Sequence, residues 1–264
     1  MPEAEPAVAG DRIASAFADH GKRAALMPYL MGGFPDPSAS LAAGEACAEA
    51  GADLVELGVP FSDPLADGPA IHEAATRALA AGATVEGVLG TCRELSGRVP
   101  VVLMVYANTV LNRGSEAFAG QAAEAGAAGM IVPDLPHDES AAVRAACDER
   151  GLALVPMAAP TTSPQRLAAI GADARGFVYT VSLTGTTGER SELAHELSRT
   201  VGRVRDATEL PVAVGFGVST GEQARQVAEV ADGVIVGSRV VRAAGEGGPT
   251  AVRELVSELA EAIG

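Results

Sequence analysis

Short apolar runs alternate with longer Ala-rich stretches of helical period along almost the whole chain. The runs are Ala24–Met31, Asp53–Leu57, Val99–Tyr106, Ala128–Val132, Leu152–Pro156, Gly176–Val181, Leu210–Val214 and Gly233–Val236, and a helical candidate follows each. Strands that alternate with helices predict a parallel sheet, because parallel neighbours need a crossover between them. About eight such units in roughly 250 residues fit a closed (β/α)8 TIM barrel better than an open doubly wound sheet. A short extra helix around Asp11–His20 precedes the first strand, residues 1–10 read as a disordered tail, and 11–264 as one barrel domain. Ala-Gly-Ala pieces at Ala50–Ala52, Ala81–Ala83 and Ala125–Ala127 mark helix ends, where glycine turns the chain toward the next strand.

In a barrel of this kind, chemistry gathers at the C-terminal ends of the strands. Asp53-Leu54-Val55-Glu56-Leu57 alternates with period two, which places Glu56 on one face with Leu54 and Gly58, and Val55 and Leu57 on the other. Glu56 is therefore expected to point inward at a strand end. A carboxyl group among apolar side chains keeps its proton to higher pH, so one group can both give and take a proton near neutrality. The loop that follows closes on a second carboxylate, Asp67. The plain alternative is an N-cap or turn role, and it suits Asp63, in Ser-Asp-Pro, better than Glu56.

Composition narrows the partners. With 48% hydrophobic residues, 3% aromatic and no Trp, the core is built from Ala, Val, Leu and Ile, as in helix-wrapped parallel sheets. A formal charge of −15 repels nucleic acid and anionic membrane surfaces, so an anionic ligand needs local donors. Cys47, Cys92 and Cys147 lie in Ala-rich helical stretches without metal-ligand spacing and read as buried small residues of a reducing cytoplasm. No apolar run approaches the ~20 residues of a membrane span, and the first residues lack the basic start of a signal peptide.

Gly-rich turns follow the last three strands: Thr184-Gly185-Thr186-Thr187-Gly188, Gly215-Phe216-Gly217-Val218-Ser219-Thr220, and Gly237-Ser238 at the end of the final strand. Singly, each reads as a plain turn. Three in successive units, where barrels commonly bind phosphate, predict a phosphate cradle of backbone N–H groups, with a helix starting at Ser238 aiming its positive end there. The single lysine, Lys22, precedes the first strand, which leaves no amine in the mouth for imine chemistry. His20, His72, His137 and His195 fall in separate segments without ligand spacing and read as surface or capping residues. Metal-assisted cleavage is disfavoured as well, and no metal site is expected. Proton transfer by carboxylates on a phosphorylated substrate remains. Tyr29, Tyr106 and Tyr179, at or near strand ends, can line a flat aromatic pocket, the alternative being packing with a satisfied hydroxyl. Asp134, also at a strand end, reads equally as a loop stabiliser or a subunit contact.

Glu56 through Pro69, Met104 to Asn108, Pro133 to Pro136, Gly215-Phe216-Gly217 and Gly237-Ser238, in that order, resemble the α subunit of tryptophan synthase over about residues 11–260. The resemblance implies a cofactor-free barrel lyase that splits indole-3-glycerol phosphate into indole and glyceraldehyde 3-phosphate by a retro-aldol step. It also implies a cytoplasmic α2β2 heterotetramer with a pyridoxal-phosphate β subunit. By that resemblance Glu56 is the general acid/base, and Asp67 holds the indole N–H. Gly188, Gly217, Gly237 and Ser238 bind phosphate, Tyr179 and Tyr106 line the indole pocket, and Tyr29 and Phe216 join the substrate contacts. Thr187 lies on the loop after strand six and meets Asp67 on closure.

The chain departs from the family pattern in three places. Thr186 stands where an aliphatic residue is common, Leu183-Thr184 replaces an arginine-containing version of the loop, and Tyr29 stands where phenylalanine is common. Two other functions fit the same pattern: a regulatory barrel that activates a β subunit without turnover, and a stand-alone indole-releasing lyase.

Overall fold

The computed structural model describes residues 9–181, 190–215 and 217–264. Its strands are β1 (Ala25–Met31), β2 (Val55–Gly58), β3 (Val101–Met104), β4 (Gly129–Ile131), β5 (Ala153–Leu154), β6 (Met157–Ala158), β7 (Val178–Val181), β8 (Val212–Gly215) and β9 (Gly233–Val236). All pair in parallel, in the order β5-β4-β3-β2-β1-β9-β8-β7-β6. The two edges, β5 and β6, are successive pieces of one extended segment, so the sheet closes on itself as a barrel. The sequence pattern predicts one strand there, over Leu152–Pro156. Pro156 has no N–H to give to the ladder, and the strand splits around it. Pairing nevertheless continues through the break: Val155 N–H reaches the Met130 carbonyl at 2.8 Å, and the Pro156 carbonyl accepts from Tyr179 N–H at 3.0 Å.

Helices fill the crossovers: α1 (Ala9–Ala18), α2 (Pro37–Glu49), α3 (Pro69–Ala80), α4 (Val85–Ser96), α5 (Ala107–Arg113), α6 (Ser115–Glu124), α7 (Ala141–Glu149), α8 (Pro164–Asp173), α9 (Arg190–Arg205), α10 (Gly221–Ala228) and α11 (Ser238–Ala262). Asp36, Thr84, Ser163 and Thr220 cap α2, α4, α8 and α10 by accepting a backbone N–H three residues on. α11 is two helices joined at a kink, where Gly248 has φ +63° and Pro249 cannot continue the ladder. Gly51, Gly82 and Gly126, the centres of the Ala-Gly-Ala pieces, take φ of +97°, +86° and +74° just after their helices end. That left-handed backbone is open to glycine at little strain.

Side chains alternate along each strand between two layers. Met27, Leu54, Val102, Ala213 and Ile235 form an inner cluster, while Leu26, Val55, Leu57, Val101, Leu103, Val212 and Val234 pack outward against the helices. The extra N-terminal helix begins at Ala9, two residues ahead of the sequence expectation and inside the segment read as a tail; residues 1–8 lie outside the described residues. α1 closes the bottom of the barrel. Ile13 joins the inner cluster, and Phe17 packs against it, 5.5 Å from the Phe177 ring. Arg12 donates to the carbonyls of Ser96 and Gly126. Lys22 sits at this lower end too, 2.8 Å from Asp53 and away from the mouth. The three cysteines are buried and unbridged, and burial pushes their thiols up to about 12, which leaves them inert as nucleophiles at neutral pH.

Candidate active site

Glu56 is the last charged side chain of β2, and the register pairs it with Tyr29 of β1 on one side and Val102 of β3 on the other. It points inward, as the alternation predicts, and has no exposed surface. Burial pushes its carboxyl up to about 8, because removal from water disfavours the charged form. Neither carboxyl oxygen has a hydrogen-bond partner among the described residues. An orphaned buried carboxyl is uncommon in a folded protein unless a ligand completes it.

Glu56 opens into a cavity of about 690 Å³ at the mouth of the barrel, within the range of small-molecule sites. Asp67 lines the same cavity from the loop after β2. Its position is set by Tyr106, just beyond β3, whose hydroxyl donates to Asp67 Oδ1 at 2.8 Å and accepts from Ala66 N–H at 3.1 Å. Partial burial raises the Asp67 carboxyl, while the Tyr106 hydroxyl and the charge of His72 on α3 pull it down. Tyr106 also stacks on Phe61, with centroids 5.2 Å apart. Tyr106 thus meets the cavity through Asp67, whose carboxylate it holds in place. A period-two pattern can place a tyrosine at a strand end, but it says nothing about which loop its hydroxyl will meet.

Tyr29 and Tyr179 do line the cavity, and both are buried. Burial is the main reason their phenol pKa values are raised, with Glu56 contributing to each. Each hydroxyl occupies space that a glycine leaves open. A Cβ on Gly58 would fall 2.0 Å from the Tyr29 hydroxyl, and one on Gly215 would fall 2.2 Å from that of Tyr179. Gly58→Ala is therefore expected to displace Tyr29, lowering stability by about 1–3 kcal/mol as overpacking does, and lowering turnover with it. Thermal melting and steady-state assays check this; Tyr29→Phe in the same chain should recover part of the loss, and an unaltered melt in Gly58→Ala would show that Tyr29 does not sit there.

On the other side of Tyr29, the end of β9 and the start of α11 form the opposite wall. Gly237, Ser238 and Gly217 line it, Gly217 with φ +81°, so the turns after β8 and β9 do converge as the glycine pattern predicts. Two strand spacings, about 10 Å, separate β9 from β2, with β1 between them. A ligand with an anionic end near Ser238 would therefore cross Tyr29 to reach Glu56. Leu183, Thr184, Thr186, Thr187, Gly188 and Phe216 lie outside the described residues.

Asp134 acts across loops, accepting from Ala107 N–H at 2.8 Å at the start of α5. That agrees with the loop-stabilising half of its reading. His137 lies 3.4 Å from Asp173 on the outside of the barrel. Among the described residues no group of three or more His, Cys, Asp or Glu side chains is placed to hold a metal. Arg239 and Arg242 of α11 also line the cavity, and neither is among the residues that the glycine and strand-end patterns predict there. The signal was available: Arg239 directly follows the serine predicted to start a helix.

Residues 16–262 match the family described as tryptophan synthase alpha chain. The chain is 48% identical to the tryptophan synthase alpha chain of Synechococcus elongatus, covering 91% of this chain and 92% of the relative. It is 47% identical to that of Geobacter sulfurreducens, covering 96% and 99%. Among solved structures, tryptophan synthase from M. tuberculosis superposes with a TM-score of 0.88 at 41% identity, over 98% of this chain and 99% of that one. The tryptophan synthase alpha subunit of Legionella pneumophila superposes at 0.87 with 37% identity, over 96% and 98%.

Proposed function

Because the chain belongs to the tryptophan synthase alpha chain family, we propose that Glu56 and Asp67 carry out the cleavage that defines that family. The reaction splits indole-3-glycerol phosphate into indole and glyceraldehyde 3-phosphate in tryptophan biosynthesis. One observation supports the residue assignment above the rest: Glu56 is wholly buried, bare at both oxygens among the described residues, and opens into the cavity that Asp67 and the glycine turns share.

In this reading Glu56 enters the cycle protonated, as a carboxyl with a pKa of about 8 is at neutral pH. It gives its proton to indole C3, which leaves positive charge on the ring. Asp67, with Oδ1 held by Tyr106, accepts the indole N–H on its other oxygen and stabilises that charge. Glu56, now ionised, takes the proton of the hydroxyl on the carbon attached to C3. The O–H pair becomes the new C=O bond, the C–C pair returns to the ring, and indole leaves with aldehyde as the co-product. The carboxyl ends as it began, and the reaction consumes no water. Gly217, Gly237 and Ser238 hold the phosphate through backbone and hydroxyl donors, while Tyr29 and Tyr179 bound the indole ring. Thr187, Gly188 and Phe216 complete this set by resemblance alone.

Asp67→Asn is expected to lower kcat by about 100-fold, since an amide can still accept the N–H but cannot balance the ring charge. KM should change far less, because the charge exists only during the reaction. Steady-state indole release checks it, and a raised KM with kcat unchanged would assign Asp67 to ground-state binding instead. We also place the chain in the cytoplasm, as one half of an α2β2 assembly with a pyridoxal-phosphate β subunit. Among the described residues no helix is long and apolar enough to cross a membrane. Light scattering of the mixed subunits, with indole release measured in each state, tests the partnership; one species of unmixed mass and unaltered turnover would reject it.

A further inference from the structure

We propose that Arg239, with Arg242 three positions further along the same face of α11, supplies the positive charge that holds the substrate phosphate. The proposal rests on the reading above that the substrate is a phosphate ester.

The cavity is otherwise ill suited to a dianion. The chain carries a net charge of −15, and two carboxyl groups, Glu56 and Asp67, line the same walls. The glycine turns and the start of α11 offer partial charge only, about half an elementary charge at a helix N-terminus. Arg239 and Arg242 are the cations that line the cavity among the described residues. Neither makes an ion pair or hydrogen bond among those residues. Arg113, Arg144, Arg205 and Arg253, by contrast, each pair with an acidic side chain. Arg239 is partly buried and Arg242 exposed. A partly buried guanidinium without an acceptor has given up water and gained nothing in return, a deficit that an anion removes.

Placement agrees. Ser238 opens α11 and Arg239 follows it, and both residues line the one cavity together with Gly217 and Gly237. The planar fork of a guanidinium matches two phosphate oxygens at once, which a point charge does not. Arg242, three positions on, shares that helix face and lies nearer the solvent rim, where charge acts on the approach of an anion rather than on its bound geometry.

Arg239→Ala in the full chain should raise KM for indole-3-glycerol phosphate and weaken inhibition by inorganic phosphate, each about tenfold, the lower end of a charge-assisted hydrogen bond. kcat, the melting temperature and the affinity for indole, which carries no phosphate, should stay near wild type. The rise of KM with added salt should also flatten, a readout that loss of packing alone would not move. Arg239→Lys should recover part of the phosphate affinity. Arg242→Ala should raise KM about twofold, and only at low salt. An Arg239→Ala chain with wild-type KM, phosphate inhibition and salt dependence overturns the proposal, as does a lysine variant no better than alanine. If the wild-type chain itself neither binds inorganic phosphate nor releases indole, the underlying functional reading fails instead.

Discussion

Glu56→Gln is expected to lower kcat for indole release by about a thousandfold or more while leaving KM near wild type. Glutamine fills the same volume, and its amide can neither give a proton to carbon nor take one from a hydroxyl. General acid–base catalysis contributes about 10²–10⁴ where one proton moves, and Glu56 moves two in succession. The wild-type rate should carry a second mark of this residue. The first step needs the protonated carboxyl, so kcat/KM should fall as pH rises through about 8, where Glu56 ionises in the free protein. The residual rate of the glutamine variant should show no such limb. A pH–rate profile of both chains checks the pair of statements; activity near wild type in the variant would remove Glu56 from the mechanism.

The same substitution should stabilise the fold, increasingly so toward alkaline pH. Well below pH 4.5, the ordinary value for glutamate, folded and unfolded chains both hold the Glu56 proton, and its ionisation adds nothing to the balance. Above it, the unfolded chain ionises while the folded chain holds its proton up to about pH 8. The unfolded state is therefore favoured progressively across that window, by about 1.4 kcal/mol for each pH unit, and the loss levels off once the folded group ionises. Glutamine carries no charge in either state and lacks this slope. Glu56→Gln should accordingly match wild type at pH 4.5 and exceed it by about 3 kcal/mol at pH 7, several degrees of melting temperature for a chain of this size. Paired melts at pH 4.5, 6, 7 and 8 test this, and parallel curves for the two chains would contradict it. A site that weakens the fold in the form that works is the expected exchange at a buried catalytic acid.

Much of this site was legible before the fold was known. Alternation around Leu54-Val55-Glu56 sets the inward face of Glu56, and the structure confirms it, with Leu54 in the inner cluster and Val55 and Leu57 packed outward. Glycine after the last strands marked Gly217, Gly237 and Ser238, which share one wall. Most strands are shorter than the apolar pattern predicts by one or two residues at an end, as at Val99–Tyr106 against the observed Val101–Met104, because apolar character extends beyond ladder pairing. β9 matches, and β2 and β8 run one residue past Leu57 and Val214. The sequence pattern ends its fifth strand at Pro156, and the strand resumes beyond it at Met157–Ala158. The place of Tyr106 in the chain predicts a residue near the pocket but not its bond to Asp67. Its partner lies 39 positions away on another loop, and no local pattern reports such a meeting.

Local backbone geometry is the reason for this division. Side chains alternate along any strand and repeat every 3.6 residues along any helix, so face, element type and helix caps follow from neighbours in sequence. By those rules the chain alone determined a barrel, an inward carboxyl at its mouth and a glycine turn opening a helix at the end of the last strand. Hydrogen bonding and charge pairing join groups from different loops, and these depend on where closure of the sheet brings the loops. Only the tertiary structure decided that Tyr106 would hold Asp67 and that, among the described residues, Glu56 would be bare at both oxygens and Arg239 would face the cavity without an acidic partner.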